Sequence, residues 1–271
     1  MWPNFLHKNY LSAYLSTSDV ALGNSMSNLT EDYDDLTILP TSESMPIWQQ
    51  SCKHLERLLE ANKIKSNVPL TVLLGSDLVR FLMLPPQQVM MNVQEKTAYA
   101  AATFQEIYGA NVNDWQLKYH DNVPNKPFIV AAIDKNLLHA INQTASKYQL
   151  KLNSIQPYVM AAFNESAKHF VKTNTYLAIV EMNRLTLILI EFGYYQQLRS
   201  HVISGEWQAD LTKILLRESA ISETDCRDII VYSPMHKAKS LAIEGWTIKL
   251  MGQFKPSPQL GANHSHLKVA I

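Results

Sequence analysis

Residues with the types and spacing that chemistry requires are few in this chain of 271 residues. His264 and His266 could supply two metal ligands, but no cysteine or carboxylate stands near them in the sequence to complete a site. Cys52 and His54 lie two positions apart on a predicted helix, where side chains diverge and cannot form a thiolate–imidazole pair. These patterns predict no catalytic residue, no metal site and no cofactor.

Charged side chains also occur in and beside apolar strands. Glu181 and Glu191 are expected to point outward from adjacent strands and not to act together as acid and base. Arg80 lies inside a predicted strand, where an unpaired guanidinium would cost several kcal/mol to bury. It must therefore point outward, extend to solvent or pair with a carboxylate. A structural ion pair is one interpretation of Arg80, and contact with a partner's peptide is the other.

The segment that positions Arg80 is a strand, a proline pair and a helix. The strand is predicted over Leu78–Leu84 and must end at Pro85–Pro86, because proline donates no amide proton to a strand ladder. The helix is predicted to end at Gly109, a residue suited to a left-handed backbone. Its apolar face is predicted to comprise Val93, Thr97, Ala100, Phe104 and Ile107. Three flexible side chains flank the prolines and suit either an adaptable binding surface or core filling: Met83, Met90 and Met91.

The rest of the first half alternates strands with helices, which is typical of an α/β architecture. The predicted strands are Tyr10–Leu15, Val20–Leu22, Leu36–Leu39, Pro69–Gly75 with Leu78–Leu84 beside it, Trp115–Tyr119, Phe128–Ile133 and Leu152–Gln156. The predicted helices are Pro46–Ala61, a helix with Asp134 as its N-cap, and Tyr158–Phe170.

The second half begins with three consecutive antiparallel strands, predicted over Tyr176–Glu181, Leu185–Phe192 and Tyr195–Ile203. Asn183–Arg184 is the predicted tight turn, since asparagine tolerates a left-handed backbone. A helix follows, then a strand at Ile229–Tyr232, a polar helical segment and a last strand at Trp246–Met251. The inward face of the helix is predicted to consist of Trp207, Leu211, Ile214 and Leu215.

Composition and charge exclude several classes of protein. Apolar residues make up 46% of the chain and charged residues 18%, which predicts a packed core. The net charge is zero, whereas a nucleic-acid binder normally carries a basic excess. Two lone cysteines fit a reducing compartment, the first residues do not look like a secretory signal, and no apolar run reaches the roughly 18 residues that span a bilayer. We therefore predict a soluble cytoplasmic protein that does not bind nucleic acid.

The strand–proline–helix segment resembles the PilM/GspL-type actin-like platform proteins of type IV pilus assembly and type II secretion. In that family a strand ending in Arg-Phe-x-x-Leu-Pro leads into such a helix, and Arg80–Pro85 reads RFLMLP. The run PFIVAAIDKNLLHAI and the strand that ends at Pro157 are also similar. The resemblance is closest over about Val68–Gln156. It implies an α/β, actin-like (ribonuclease H-like, ASKHA) fold of two subdomains with a small inserted subdomain.

The same resemblance implies a division of the chain. Residues 1–172 would form the first actin-like subdomain, with an inserted α/β subdomain at about 109–157. Residues 173–252 would form the second subdomain, and residues 253–271 a polar C-terminal tail. No internal sequence repeat is visible, so this division depends on the order of the elements alone.

The nucleotide loops that the resemblance implies have no counterpart in the sequence. An actin-like fold holds phosphates with glycines at hairpin tips and a nearby aspartate. Here the first hairpin, Tyr10–Val20, has no Asp-x-Gly, and the second tip is Met182–Arg184. Gly245 and Gly252 stand alone where adenine binding needs a glycine pair. Gly75–Asp77 leads into a strand and not into a helix, so we expect a hairpin turn there and no phosphate loop.

The family resemblance without nucleotide motifs implies a non-catalytic cytoplasmic adaptor, held at the inner membrane through its partners. Those partners would be inner-membrane pilus or secretion proteins and a secretion ATPase. The expected partner-binding residues surround the proline pair: Arg80, Leu84, Pro85, Met90 and Met91. Two alternatives stay open, a nucleotide-binding actin-like ATPase and a structural homo-oligomer.

Overall fold

The computed structural model describes residues 10–23, 46–87, 91–109, 112–120, 125–166, 174–233, 236 and 240–251. Its strands are β1 (Leu11–Leu15), β2 (Val20–Gly23), β3 (Pro69–Leu74), β4 (Arg80–Leu84), β5 (Trp115–His120), β6 (Phe128–Asp134), β7 (Lys151–Pro157), β8 (Thr175–Val180), β9 (Arg184–Glu191), β10 (Tyr194–Val202), β11 (Asp228–Tyr232) and β12 (Thr247–Met251). Its helices are α1 (Ile47–Ala61), α2 (Val93–Tyr108), α3 (Lys135–Lys147), α4 (Tyr158–Ser166) and α5 (Trp207–Ile221), with a 3₁₀ turn at Val112–Asp114. Several sequence predictions lie outside the described residues: the strand Leu36–Leu39, Met90, the last four residues of the helix Tyr158–Phe170, Gly252, the pair His264 and His266, and the tail 253–271.

The first sheet has the strand order β2-β1-β3-β7, with β1 antiparallel to β2 and the other neighbours parallel. β1 and most of β3 are buried, as expected of short apolar runs at the centre of a covered sheet. α1 and α3 pack against this sheet. As predicted, Asp134 caps α3, by accepting a hydrogen bond from the Asn136 amide.

The second sheet has the order β10-β9-β8-β11-β12. β8, β9 and β10 form the antiparallel meander that the sequence predicts, and the predicted inward face of α5 is buried. The predicted tight turn between β8 and β9 is present, and the Glu181 amide donates to the Arg184 carbonyl at 2.8 Å across it, but Asn183 does not have a left-handed backbone. The positive φ angles lie in the next turn, at Phe192 (54°) and Gly193 (82°), which join β9 to β10. Residues 240–246 form no helix, in contrast to the polar helix expected before β12.

The third sheet has the order β4-β6-β5 and packs against α2. The expectation that β4 lies beside β3 is therefore wrong. β4 pairs with β6, whereas β3 pairs with β1 and β7. Two apolar runs that are adjacent in sequence carry no local signal for the sheet that each of them joins, so only the tertiary structure separates them.

α2 begins and ends where its sequence signals place it. Asn92 and Glu95 form a capping box, in which each side chain accepts a hydrogen bond from the other residue's amide. Gly109 follows the last turn with a left-handed φ of 56°, as predicted. Local capping chemistry therefore fixed both ends of this helix.

The predicted apolar face of α2 is only partly correct. Ala100 and Phe104 are completely buried, but Thr97 is exposed, and Val93 and Ile107 are 72% and 55% exposed. The three-stranded sheet offers a short apolar patch, so it covers the middle of the helix and leaves residues near both ends in solvent. Helical periodicity predicts which residues share a face, but it does not predict how much of that face has a partner.

The strands of the third sheet lie within residues 80–134, whereas β7 belongs to the first sheet. We therefore propose residues 80–134 as the inserted unit, in place of the stretch of about 109–157 expected from the resemblance. The outer boundaries, 1–172 and 173–252, stay predictions.

The first and second sheets share one hydrophobic core. Tyr14 and Leu73 contribute to it from the first sheet and Ile179 and Ile188 from the second, and Tyr158 at the start of α4 packs among them. Burial of this apolar surface holds the sheets together, and it brings their strand ends close to one another. No helix among the described residues is long and apolar enough to cross a membrane.

Candidate functional site

Two turns and the end of a strand meet where the first and second sheets join. They are the β1–β2 turn (residues 16–19), the turn after β3 (residues 75–78) and the end of β8 at Glu181. β1 and β3 are parallel neighbours, so their carboxyl ends lie at the same edge of the sheet, and the Gly75 amide donates to the Leu15 carbonyl at 2.7 Å. We call these three segments, together with Tyr14 and Thr186, the sheet junction.

Glu181 is the central side chain of the sheet junction. It is only 1% exposed, and its Oε1 accepts hydrogen bonds from the Tyr14 hydroxyl at 2.9 Å and from the Ser76 amide at 3.0 Å. The Ser76 hydroxyl donates to Oε2. The expectation that Glu181 points outward is therefore wrong. Its donors lie 105 and 167 positions earlier in the chain, so no local pattern could reveal them.

The environment of Glu181 favours the neutral acid. The pKa of Glu181 is raised to about 7, mainly by burial and in smaller part by the charge of Asp77, against the lowering effect of the bonds from Ser76 and Tyr14. Ser76 Oγ also lies 3.2 Å from Thr186 Oγ1, and either hydroxyl can be the donor. When Glu181 is protonated, the Ser76 hydroxyl can accept a hydrogen bond from the carboxyl group and donate one to Thr186. Both the ionised and the neutral carboxyl group therefore keep a hydrogen-bond partner.

A pH dependence of stability follows from this carboxyl group. Its pKa is near 4.5 in the unfolded chain and about 7 in the folded protein, so between these values the folded state binds more protons. The contribution of Glu181 to the free energy of unfolding is therefore expected to fall as pH rises from about 4.5 to about 7, and to stay constant above that. Denaturation curves of the parent protein and of Glu181→Gln, recorded over this pH range, would measure the contribution as the difference between their free energies of unfolding. Parallel pH profiles would contradict the expectation.

The amide groups of the β1–β2 turn are already bonded within the chain. The Thr17 amide donates to Asp77 Oδ2 at 2.8 Å, and the Thr17 hydroxyl donates to the same oxygen. The amides of Ser18 and Asp19 donate to Ser16 Oγ at 3.2 and 2.8 Å, and the Ser16 amide donates to the Asp19 carbonyl at 2.8 Å. Amides that hold a phosphate must point at the ligand. In this turn they point at the protein's own oxygens.

Gly75 allows the turns to approach one another. A Cβ atom at this position would lie 2.8 Å from Tyr14 Oη, 2.9 Å from Asp77 Oδ1 and 2.9 Å from Ser16 Cβ. No residue with a side chain fits there without displacing these atoms. The turn is not the expected hairpin, because β3 and β4 belong to different sheets. Sequence analysis recognised the turn but missed its role in packing the junction.

Of the residues expected to bind a partner, Arg80 and Leu84 lie in β4, Pro85 follows it, Met91 precedes α2, and Met90 is outside the described residues. Arg80 begins the strand and is exposed, whereas Leu84 near its end is 1% exposed and belongs to the core under α2. Pro85 is exposed and Met91 half-buried. Four residue steps along a strand separate Arg80 from Leu84 by roughly 13 Å. We call β4, with exposed Arg80 at its start and exposed Pro85 after its end, the strip along β4.

Arg80 contacts aromatic rings. Its guanidinium carbon lies 5.0 Å from the centroid of the Tyr108 ring and 5.2 Å from that of Trp115, which is cation–π geometry. Within the described residues it has no ion pair, so the structural ion-pair interpretation has no support. The two rings also contact each other and Phe104. Sequence analysis placed Tyr108 and Trp115 on the right elements but did not connect them with Arg80.

The described part of the chain contains no group of three or more histidine, cysteine or acidic side chains that could hold a metal ion. Cys52 and Cys226 are both buried and free. Burial raises the pKa of the Cys52 thiol to about 11, with a further contribution from Glu56, so this thiol is not activated for nucleophilic chemistry.

Comparison with known proteins identifies the fold. No protein-family model and no curated protein matches the chain. It is similar to a PilM–PilN type IV pilus biogenesis complex, with a TM-score of 0.65 and 11% identity over 90% of this chain and 88% of that chain. It is also similar to the cytoplasmic domain of EpsL, an inner membrane component of the type II secretion system of Vibrio cholerae, with a TM-score of 0.51 and 12% identity over 90% of each chain. The chain therefore has the actin-like fold, with the mixed α/β architecture that its sequence predicts.

Proposed function

We propose that this protein is a non-catalytic adaptor of a pilus-assembly or type II secretion platform, and that it works without a bound nucleotide. The observation that carries the second part is the closed state of the sheet junction. The turns where an actin-like fold holds phosphates are bonded to one another here, through Thr17 and Asp77 and through Ser76 and Glu181. A phosphate would have to break these bonds and displace a buried carboxyl group.

The side chains at the junction add an electrostatic argument. Asp19, Asp77 and Glu181 all lie in or beside the turns that would face the phosphates. The charges of Asp19 and Asp77, and that of Glu181 when it is ionised, oppose a further anion at short range, by an amount that grows as the site is dehydrated. Hydrolysis would also need an open position for a metal ion and a water molecule. The interior of the junction is occupied by side chains of the protein itself.

Mg-ATP and Mg-ADP at millimolar concentration are expected to leave the melting temperature unchanged. A ligand present at 100 times its dissociation constant would add about 2.7 kcal/mol to the free energy of unfolding, which gives a shift of several degrees in a protein of this size. Differential scanning fluorimetry would measure the melting temperature with each nucleotide, and magnesium alone would be the control. A clear rise with either nucleotide would contradict this proposal and favour the actin-like ATPase alternative.

The adaptor role is supported by the two structural similarities. One of those structures is a complex between PilM and PilN, and the other is part of an inner-membrane secretion component. We propose that the protein docks on an inner-membrane protein of this kind from the cytoplasmic side, and that the contact involves the strip along β4. β4 is an edge strand of the third sheet that also lies close to β10, so we propose that the contact is made by its exposed side chains, above all Arg80.

Arg80→Glu is expected to weaken capture of inner-membrane pilus or secretion components about tenfold or more, because it removes an exposed, pre-oriented guanidinium and places a negative charge on the strip. Co-purification from the native membrane fraction, with circular dichroism as the check on folding, would measure the effect.

Arg227→Glu is the matched control. Arg227 is also exposed and lies over an aromatic ring, 5.3 Å from the centroid of Trp246, but it belongs to the second sheet. Equal capture by the parent protein and Arg80→Glu would exclude Arg80 from the contact, and equal losses in both variants would point to a general effect of charge.

A further inference from the structure

Hydrogen-bond donors from the first sheet converge on one point of the sheet junction. The Tyr14 hydroxyl and the Ser76 amide lie 2.9 and 3.0 Å from Glu181 Oε1, and the Ser76 hydroxyl contacts Oε2. Both donor residues are buried and belong to the first sheet or its turns, whereas Glu181 follows a strand of the second sheet. We call these three donor groups the cradle.

We propose that the cradle is a binding site for one carboxyl group, and that Glu181 is a ligand which the chain itself supplies. Two donors meet one oxygen and a third meets the other, so both carboxylate oxygens are satisfied. The donors come from β1 and from the turn after β3, and each is also held by contacts other than the one with Glu181. Tyr14 packs against the Tyr158 ring, and the turn before Ser76 is tied to Leu15.

The chemistry of the cradle selects a carboxyl group over a phosphate. Asp77 follows Ser76 directly, and its charge opposes a second negative charge at the cradle. A phosphate monoester carries about −1.5 to −2 charges at neutral pH, whereas a carboxylate carries one and can take up a proton. The hydroxyl pair of Ser76 and Thr186 can reverse its donor direction, so the cradle accepts the ionised and the neutral carboxyl group.

A filled cradle links the two sheets by hydrogen bonds in addition to their shared apolar core. The link needs no diffusible ligand, because Glu181 is tethered at the end of β8 and its effective concentration is high. This inference goes beyond the proposed adaptor function and does not depend on any partner protein.

The test removes the internal ligand and supplies an external one. Glu181→Ala should unfold at a lower temperature than the parent protein, and sodium formate at about 100 mM should raise its melting temperature by roughly 2–4 °C relative to sodium chloride of equal ionic strength. The parent protein, whose cradle is filled, should show no difference between the two salts. The double variant Tyr14→Phe/Glu181→Ala, which lacks one donor, should lose most of the response to formate.

A melting temperature of Glu181→Ala that is the same in formate and chloride would overturn the proposal. If this variant does not fold in chloride, refolding in formate replaces the melting experiment, and recovery in formate alone would support the cradle while recovery in neither salt would overturn it. Partner capture by the parent protein is measured separately, so a failed rescue leaves the adaptor proposal intact and a failed capture leaves the cradle intact.

Discussion

Replacement of Phe104 by alanine is expected to destabilise the third sheet and α2 by about 3–5 kcal/mol. Phe104 is fully buried, its ring stacks on Tyr108 with 5.4 Å between centroids, and it meets Trp115 edge-on at 6.0 Å. The core under α2 has few other buried members, so neighbouring side chains cannot refill the cavity. Hydrogen exchange of the β4 and β6 amides, combined with denaturant unfolding, would measure the loss.

Ile107→Ala is the matched control for this prediction. Ile107 lies one turn further along the same helix and is 55% exposed, so its truncation is expected to change the free energy of unfolding by no more than about 0.5 kcal/mol. Similar losses in the two variants would contradict the packing of α2 described above. Since Tyr108 and Trp115 hold Arg80, Phe104→Ala is also expected to weaken partner capture although Phe104 itself is buried.

Replacement of Gly75 by alanine is expected to lower the free energy of unfolding by about 2–3 kcal/mol, because the added methyl group overpacks the sheet junction. The new Cβ would lie less than 3 Å from atoms of Tyr14, Asp77 and Ser16 at once. Relief of these contacts would move Tyr14 away from Glu181. We therefore expect the pH dependence of stability that comes from Glu181 to change in the same variant.

Gly205→Ala provides the control for Gly75→Ala. A Cβ atom at Gly205 would have no neighbour within 4 Å, and the backbone there is not left-handed. Its replacement is expected to change stability by less than about 0.5 kcal/mol, or to stabilise the protein slightly by restricting the unfolded chain. Urea denaturation of both variants would compare them. A Gly75→Ala variant as stable as Gly205→Ala would show that the junction is looser than the distances indicate.

The sheet junction is closed by the protein's own polar groups. A carboxyl group of the second sheet is bonded to the first, and the amides of the β1–β2 turn are bonded within the chain. The exposed strip that begins at Arg80 lies on a different sheet, so variants of the junction and of the strip test separate properties of the protein.

The sequence by itself determined the elements and the architecture. Proline pairs, capping residues and apolar periodicity act over a few positions, so they placed the end of α2, the cap of α3 and the β8–β10 meander. The RFLMLP segment indicated the actin-like fold, which the structural similarities confirm. A charge beside apolar strand residues also stands out, which is why Arg80 was singled out; its role in partner binding stays a prediction.

Only the tertiary structure decided which strands share a sheet and which polar groups meet. β4 belongs to the third sheet and β7 to the first, and neither stretch of sequence carries a local signal for the sheet in which it lies. Glu181 looked like an exposed strand-end residue because its three donors come from segments 105 and 167 positions away. Burial and hydrogen bonding depend on packing between distant segments, whereas sequence patterns report local conformation. The elements could therefore be predicted, and the closed junction between them could not.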